Sequence, residues 1–193
     1  MSEIERRYVG GLEVRQDGGP ERLVGYAALF GVRSLDLGGF VESIRAGAFA
    51  RSLKANVDIR AFFNHDSGRI IGRRSKNTLI IREDQRGLRV EITPPQTETG
   101  REVIENVRVG NLDQMSFGFN TPKDGEKWSF DESPPLRELL HVDLVEVSVV
   151  AMPAYPQTEI ALRSMALAAG QRPGAPTLTK LRESLARQRA GWR

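Results

Sequence analysis

Three residues of this 193-residue chain have the side chains of a nucleophilic site: His65 in Phe63-Asn64-His65-Asp66, Ser116 in Gln114-Met115-Ser116-Phe117-Gly118-Phe119, and Glu146 in Leu144-Val145-Glu146-Val147-Ser148-Val149-Val150. A hydroxyl, an imidazole and a carboxylate form a nucleophile, a base and an orienting group if the fold brings them together. The chain holds only two histidines, so the base has one rival, His141.

In a strand, Met115, Phe117 and Phe119 share one face and Ser116, Gly118 and Asn120 the other. Gly118 then leaves space beside the hydroxyl, room that a substrate carbonyl needs. The G-x-S-x-G elbow of the α/β-hydrolases is absent. Taken alone, Ser116 also fits a structural strand serine. His65 follows an apolar strand and opens a loop; an imidazole has the proton affinity for general-base work, and it equally fits a surface histidine bonded to Asp66. Glu146 is the odd residue among Leu144, Val145, Val147, Val149 and Val150. A buried carboxylate needs a partner, either an imidazolium or one of the many arginines. His141 and Asp143 are the alternatives for the third member, on the strand face opposite Glu146 unless a bulge intervenes.

The elements that must position these residues are mostly strands. Tyr8–Val14 and Leu23–Phe30 read as short strands about the turn Gln16-Asp17-Gly18-Gly19-Pro20. Ser43–Ala55 reads as a short helix and Val57–Phe63 as a strand. Thr78–Arg82 and Leu88–Ile92 form a hairpin, the second with strict alternation. Thr99-Gly100-Arg101-Glu102 has capping-box form and predicts a helix with Val103, Ile104 and Val107 on its apolar face, closed by Gly110. Asp113–Asn120 and Leu139–Ala151 are two further strands. The pattern implies a β-rich α+β fold or a partly closed barrel with short helices.

Composition sets the outer bounds. A chain of this length holds one sizeable core, read as a domain over 1–162 with a tail over 163–193. That tail holds seven of the 28 Lys/Arg and one of the 25 Asp/Glu, a balance of +6, so the body carries 21 basic and 24 acidic side chains. Gly170, Pro173, Gly174 and Pro176 give the tail linker composition, and Thr177–Ala190 reads as a basic helix. No run of about 18 apolar residues is present to span a membrane, and the N-terminal residues lack the apolar core of a secretory signal. With no cysteine there are no disulfides, thiolate nucleophiles or cysteine-based zinc sites, which fits a reducing interior. No P-loop or metal-ligand spacing is present, so no cofactor is expected.

These motifs, in order, resemble those of a known family. Arg45-Ala46-Gly47-Ala48-Phe49, Asn64-His65-Asp66, Ile71-Gly72, Gly87-Leu88, Met115-Ser116-Phe117-Gly118-Phe119, Glu146-Val147-Ser148-Val149-Val150 and Pro153-Ala154-Tyr155-Pro156 look like the prohead proteases of HK97-type tailed phages, distant relatives of herpesvirus assemblins. The resemblance covers about Gly25 to Ile160. It implies a serine endopeptidase with Ser116 as nucleophile, His65 as base and Glu146 in the place of the assemblin second histidine. Backbone amides of Ala154 or Tyr155 are the implied oxyanion donors. The implied architecture is an assemblin-like closed or nearly closed β-barrel that dimerises through a helix. The implied partners are a second copy, the scaffold segment of the major capsid protein and the protease itself as substrate. The implied place is the assembling prohead in the host cytoplasm, with the tail a packaging or self-cleaved segment. Two other functions compete: a non-catalytic assembly or scaffolding protein of the same fold, and a nucleic-acid-binding module using the basic tail. The latter is disfavoured because Trp192 is the tail's single aromatic.

Overall fold

The structure, a computed structural model, describes residues 4–55, 57–151, 159–170 and 177–190. The strands are β1 (Glu5–Gly10), β2 (Glu13–Arg15), β3 (Arg22–Leu29), β4 (Val41–Ile44), β5 (Arg60–Phe63), β6 (Asp66–Arg73), β7 (Leu79–Glu83), β8 (Gly87–Ile92), β9 (Gln114–Asn120), β10 (Glu126–Ser129), β11 (Leu136–Leu139) and β12 (Asp143–Val150). The helices are α1 (Ala50–Lys54), α2 (Glu98–Arg108), α3 (Glu159–Ala169) and α4 (Leu178–Ala190). The fold is α+β and strand-rich. Its strands divide among three sheets, ordered β1-β9-β12-β5-β6, β10-β11-β4 and β2-β3-β8-β7. Among the described residues no sheet closes on itself: β1 and β6 end one ladder, β2 and β7 another. These hydrogen-bonded pairs do not by themselves establish the closed or nearly closed barrel that the resemblance implies.

The five-stranded sheet carries the site because its two faces differ. Met115, Phe117 and Phe119 point into the main core with Val147, Ala61 and Ile71, all essentially buried. Phe117 stacks on Phe119 at 5.1 Å between ring centroids and meets Phe49 edge-on at 5.3 Å. The other face bears Ser116, Gly118, Glu146 and Ser148, aligned by the pairing of Ser148 with Ser116 and of Glu146 with Gly118.

Several local features differ from the sequence reading. The first candidate strand splits into β1 and β2, in different sheets, because Gly11 adopts φ +97° and the Gly11 and Leu12 amides both donate to the Asp113 carbonyl. The helix expected over Ser43–Ala55 shrinks to α1: Ser43 and Ile44 belong to β4, and Gly47 at φ +89° lies outside helical space. The cap of α2 is Thr97, whose hydroxyl accepts from the Gly100 amide at 3.2 Å, two residues before the expected Thr99. Leu139 ends β11, and a loop separates it from β12. Strands β4, β6, β10 and most of β11 lie outside the segments where the sequence pattern predicts strands.

A buried ionic network ties the sheets together. Arg137, fully buried, donates to Glu5 at 2.6 and 2.9 Å, to Glu42 at 2.9 Å and to Glu126 at 2.6 Å. Arg7 binds Glu42 with two 2.7 Å bonds. Burial alone would push the Glu5 carboxyl up, but the hydrogen bond and charge of Arg137, with the charge of Arg7, hold it down at about 2. The network fixes β1, and with it Arg6, at the edge of the site.

The boundary drawn at residue 163 falls inside α3. Met165 and Leu181 are buried in a second, smaller cluster with Leu37 and Phe40, against Trp128 and Phe130. Ser164 hydrogen-bonds Glu126 and accepts from the Trp128 indole. The described part of the tail thus packs on the body.

Candidate active site

His65 owes its position to a two-residue hairpin turn. Phe63 of β5 pairs with Asp66 of β6, and the intervening Asn64 and His65 have φ +52° and +60°. Two left-handed residues are what a type I′ turn requires. Asparagine tolerates that region well, while histidine there costs about 1 kcal/mol. Asn64 offsets the strain with two bonds, one to β12 and one to the residue just after it: its amide donates to the Val149 carbonyl at 2.9 Å, and its side-chain oxygen accepts from the Ala151 amide at 2.9 Å. A two-residue turn thus stands where the sequence pattern predicts the start of a loop.

From that turn the imidazole reaches Glu146, with Nδ1 2.6 Å from Oε1. The second carboxylate oxygen, Oε2, accepts from the Ser148 hydroxyl at 2.5 Å. Arg6 on β1 brings its Nε to 3.8 Å from Oε1. Glu146 is 5 % exposed and Ser148 fully buried, so these groups meet away from bulk water. Gly118 makes room for the carboxylate: a Cβ there would lie 2.7 Å from Glu146 Oε1. The glycine therefore accommodates the carboxylate, where the sequence suggested space for substrate.

Ser116 stands directly across the β9–β12 pair from Ser148, a position at which Cβ atoms are typically about 4.5–5.5 Å apart. Its hydroxyl is buried and has no hydrogen-bond partner, and the same holds for His65 Nε2. A buried polar atom without a partner is uncommon, and here a donor and an acceptor are both unused.

The rivals lie apart from this group. His141 sits in the loop before β12, its amide bonded to the Gly125 carbonyl at 3.1 Å. A bulge at Val145 intervenes in β12, so Asp143 pairs with Asn120 and shares the face of Glu146. It is exposed at the far end of the strand. Ala154 and Tyr155 lie outside the described residues. Sequence reasoning missed Arg6, Asn64 and Ser148. The i, i+2 spacing of Glu146 and Ser148 in an otherwise apolar strand was the available signal for the last. Among the described residues no group of His, Asp and Glu could hold a metal ion, and no helix is long and apolar enough to cross a membrane.

An imidazole bound to a buried carboxylate, over the sheet face that also carries a buried and unengaged serine, is the kind of arrangement serine hydrolases use. The chain belongs to the caudovirus prohead serine proteases, whose family model matches residues 11–172. A solved structure, that of the bacteriophage T4 capsid assembly protease gp21, is similar in fold, with a TM-score of 0.53 at 12% identity over 79% of this chain and all of the other. Comparison with curated proteins returns no match.

Proposed function

We propose that this protein is a capsid-maturation serine endopeptidase in which Ser116 is the nucleophile, His65 the general base and Glu146 the group that orients and stabilises it. The observation that carries the reading is the 2.6 Å contact between His65 Nδ1 and Glu146 Oε1. An ionised carboxylate only accepts, so it holds the proton on Nδ1 and leaves the lone pair on Nε2. As Ser116 Oγ attacks the scissile carbonyl, Nε2 takes its proton, and the imidazolium is stabilised by Glu146. Nε2 then donates that proton to the leaving amine, and water hydrolyses the acyl-enzyme by the same relay. Backbone amides at Ala154 or Tyr155 serve as oxyanion donors in this reading.

The substrates are the scaffold segment of the major capsid protein and the protease itself. The protease works as a homodimer inside the assembling prohead, in the host cytoplasm. Family membership and the fold shared with a capsid assembly protease support this reading. The test is to incubate purified protein with the major capsid protein of the same phage and follow intact masses. Time-dependent loss of the scaffold segment with wild-type protein, absent with folded Ser116→Ala, is the expected result. Equal cleavage by the two would refute it.

A further inference from the structure

The geometry points to Ser148 as a positioning residue: its hydroxyl fixes the Glu146 carboxylate so that one oxygen faces His65 and the Ser116 hydroxyl stays free for the imidazole. The inference rests on the proposed roles of Ser116, His65 and Glu146. Ser148 is a fully buried hydroxyl between Val147 and Val149, where an apolar residue would satisfy the strand. Its hydroxyl donates to Glu146 Oε2 at 2.5 Å.

That bond has two consequences. A carboxylate can rotate about its last torsion, which is broad and roughly two-fold. With Oε2 held by Ser148 and Oε1 by His65 Nδ1, both oxygens are engaged and the rotation is blocked. Ser116 lies directly opposite Ser148 and is the other hydroxyl on this face within a strand spacing of the carboxylate's own strand. Were Oε2 free, Ser116 could donate to it and lose its proton-transfer partner. Ser148 engages that oxygen and weakens the competition. The Ser116 hydroxyl is indeed without a partner.

The test uses a fluorophosphonate reagent, which needs no knowledge of the cleavage sequence. Ser116 Oγ attacks phosphorus, forming the O–P bond as the P–F bond breaks; fluoride leaves and His65 Nε2 takes the hydroxyl proton. The limiting labelling rate and the half-saturating reagent concentration are measured for wild type, Ser148→Ala and Ser148→Thr, with thermal unfolding alongside. Expected for Ser148→Ala is a limiting rate lower by roughly 10- to 150-fold, the range that a lost hydrogen bond to a charged group spans. The half-saturating concentration should stay near wild type, and the melting temperature should fall by no more than several degrees, because Glu146 Oε2 loses a buried partner. Ser148→Thr keeps the hydroxyl and should recover most of the rate. The downfield NMR signal of the His65 Nδ1 proton should broaden or move in Ser148→Ala and return in Ser148→Thr, a change that a purely structural role would not give. A folded Ser148→Ala that labels as fast as wild type would overturn the inference, as would a folded Ser148→Thr as slow as the alanine variant. If Ser148→Ala does not fold, Ser148→Thr decides against wild type: a folded threonine variant that labels about tenfold or more slower, or whose His65 Nδ1 proton signal is lost, would overturn the inference. Wild-type protein that does not label at Ser116 would overturn the proposed function, and this inference with it.

Discussion

Substituting Gly118 by alanine puts the least possible volume in the most consequential place. The added Cβ would stand 2.7 Å from Glu146 Oε1 and 3.0 Å from Ile4 Cγ2. Ordinary van der Waals contact begins at about 3.4 Å, so the carboxylate must retreat by roughly 0.7 Å, with Ile4 blocking the other side. If the retreat runs along the bond to His65, the 2.6 Å contact lengthens beyond the range of a good hydrogen bond, about 3.2 Å. Losing a hydrogen bond to a charged group costs about 1.5–3 kcal/mol, a rate loss of about 10- to 150-fold. The protein should still fold, because the loss at the carboxylate is partly offset by replacing a strand glycine, itself destabilising by roughly 0.5–1 kcal/mol against alanine. The assay is turnover and KM on a single cleavable peptide, with thermal unfolding as control. A folded Gly118→Ala enzyme within threefold of wild-type turnover would refute the account of how the carboxylate is seated.

Asn64→Ala removes the acceptor of the Ala151 amide and the residue best suited to φ +52°; turnover should fall about tenfold or more, and Asn64→Asp, which keeps the acceptor and the left-handed tolerance, should restore most of it. Glu5 is held at about 2 in the folded protein, so its contribution to stability is complete above its ordinary value near 4.5 and is lost as pH falls from there towards 2. Urea unfolding across that window should show a fall for wild type that is reduced in Glu5→Gln, and equal slopes would contradict it. Truncation after Arg163 strips Met165 and Leu181 from Leu37 and Phe40; at roughly 1.5–3 kcal/mol for each large apolar side chain exposed, the unfolding midpoint should drop clearly, and an unchanged midpoint would show that α3 and α4 are dispensable to the core.

Much of this arrangement was legible in the sequence because period-2 patterning is strong where one strand face is buried. Met115, Phe117 and Phe119 point to the core, and Ser116 and Gly118 to the opposite face, as alternation requires. The hairpin of β7 and β8 was legible for the same reason. What escaped depends on contacts distant in sequence. The Arg137 network joins residues up to 132 apart, and no local pattern reports it. The bulge at Val145 carries no glycine or proline to mark it, yet it decides which face Asp143 shares. The turn at Asn64-His65 was hidden because the second position holds histidine where glycine is the usual signal. The link between His65 and Glu146, 81 residues apart, could be suspected from residue type alone. That Asn64, Ser148 and Gly118 hold it in place follows from the turn at Asn64 and from the strand register, which sets Gly118 against Glu146.

The most direct test of the central claim is where a fluorophosphonate attaches and which side chains its rate depends on. The account predicts a single adduct, located by peptide mass on Ser116. Labelling should slow by several orders of magnitude in His65→Ala, clearly in Glu146→Gln, and not at all in His141→Ala. An adduct on another residue, or a rate that depends on His141 and not on Glu146, would contradict it.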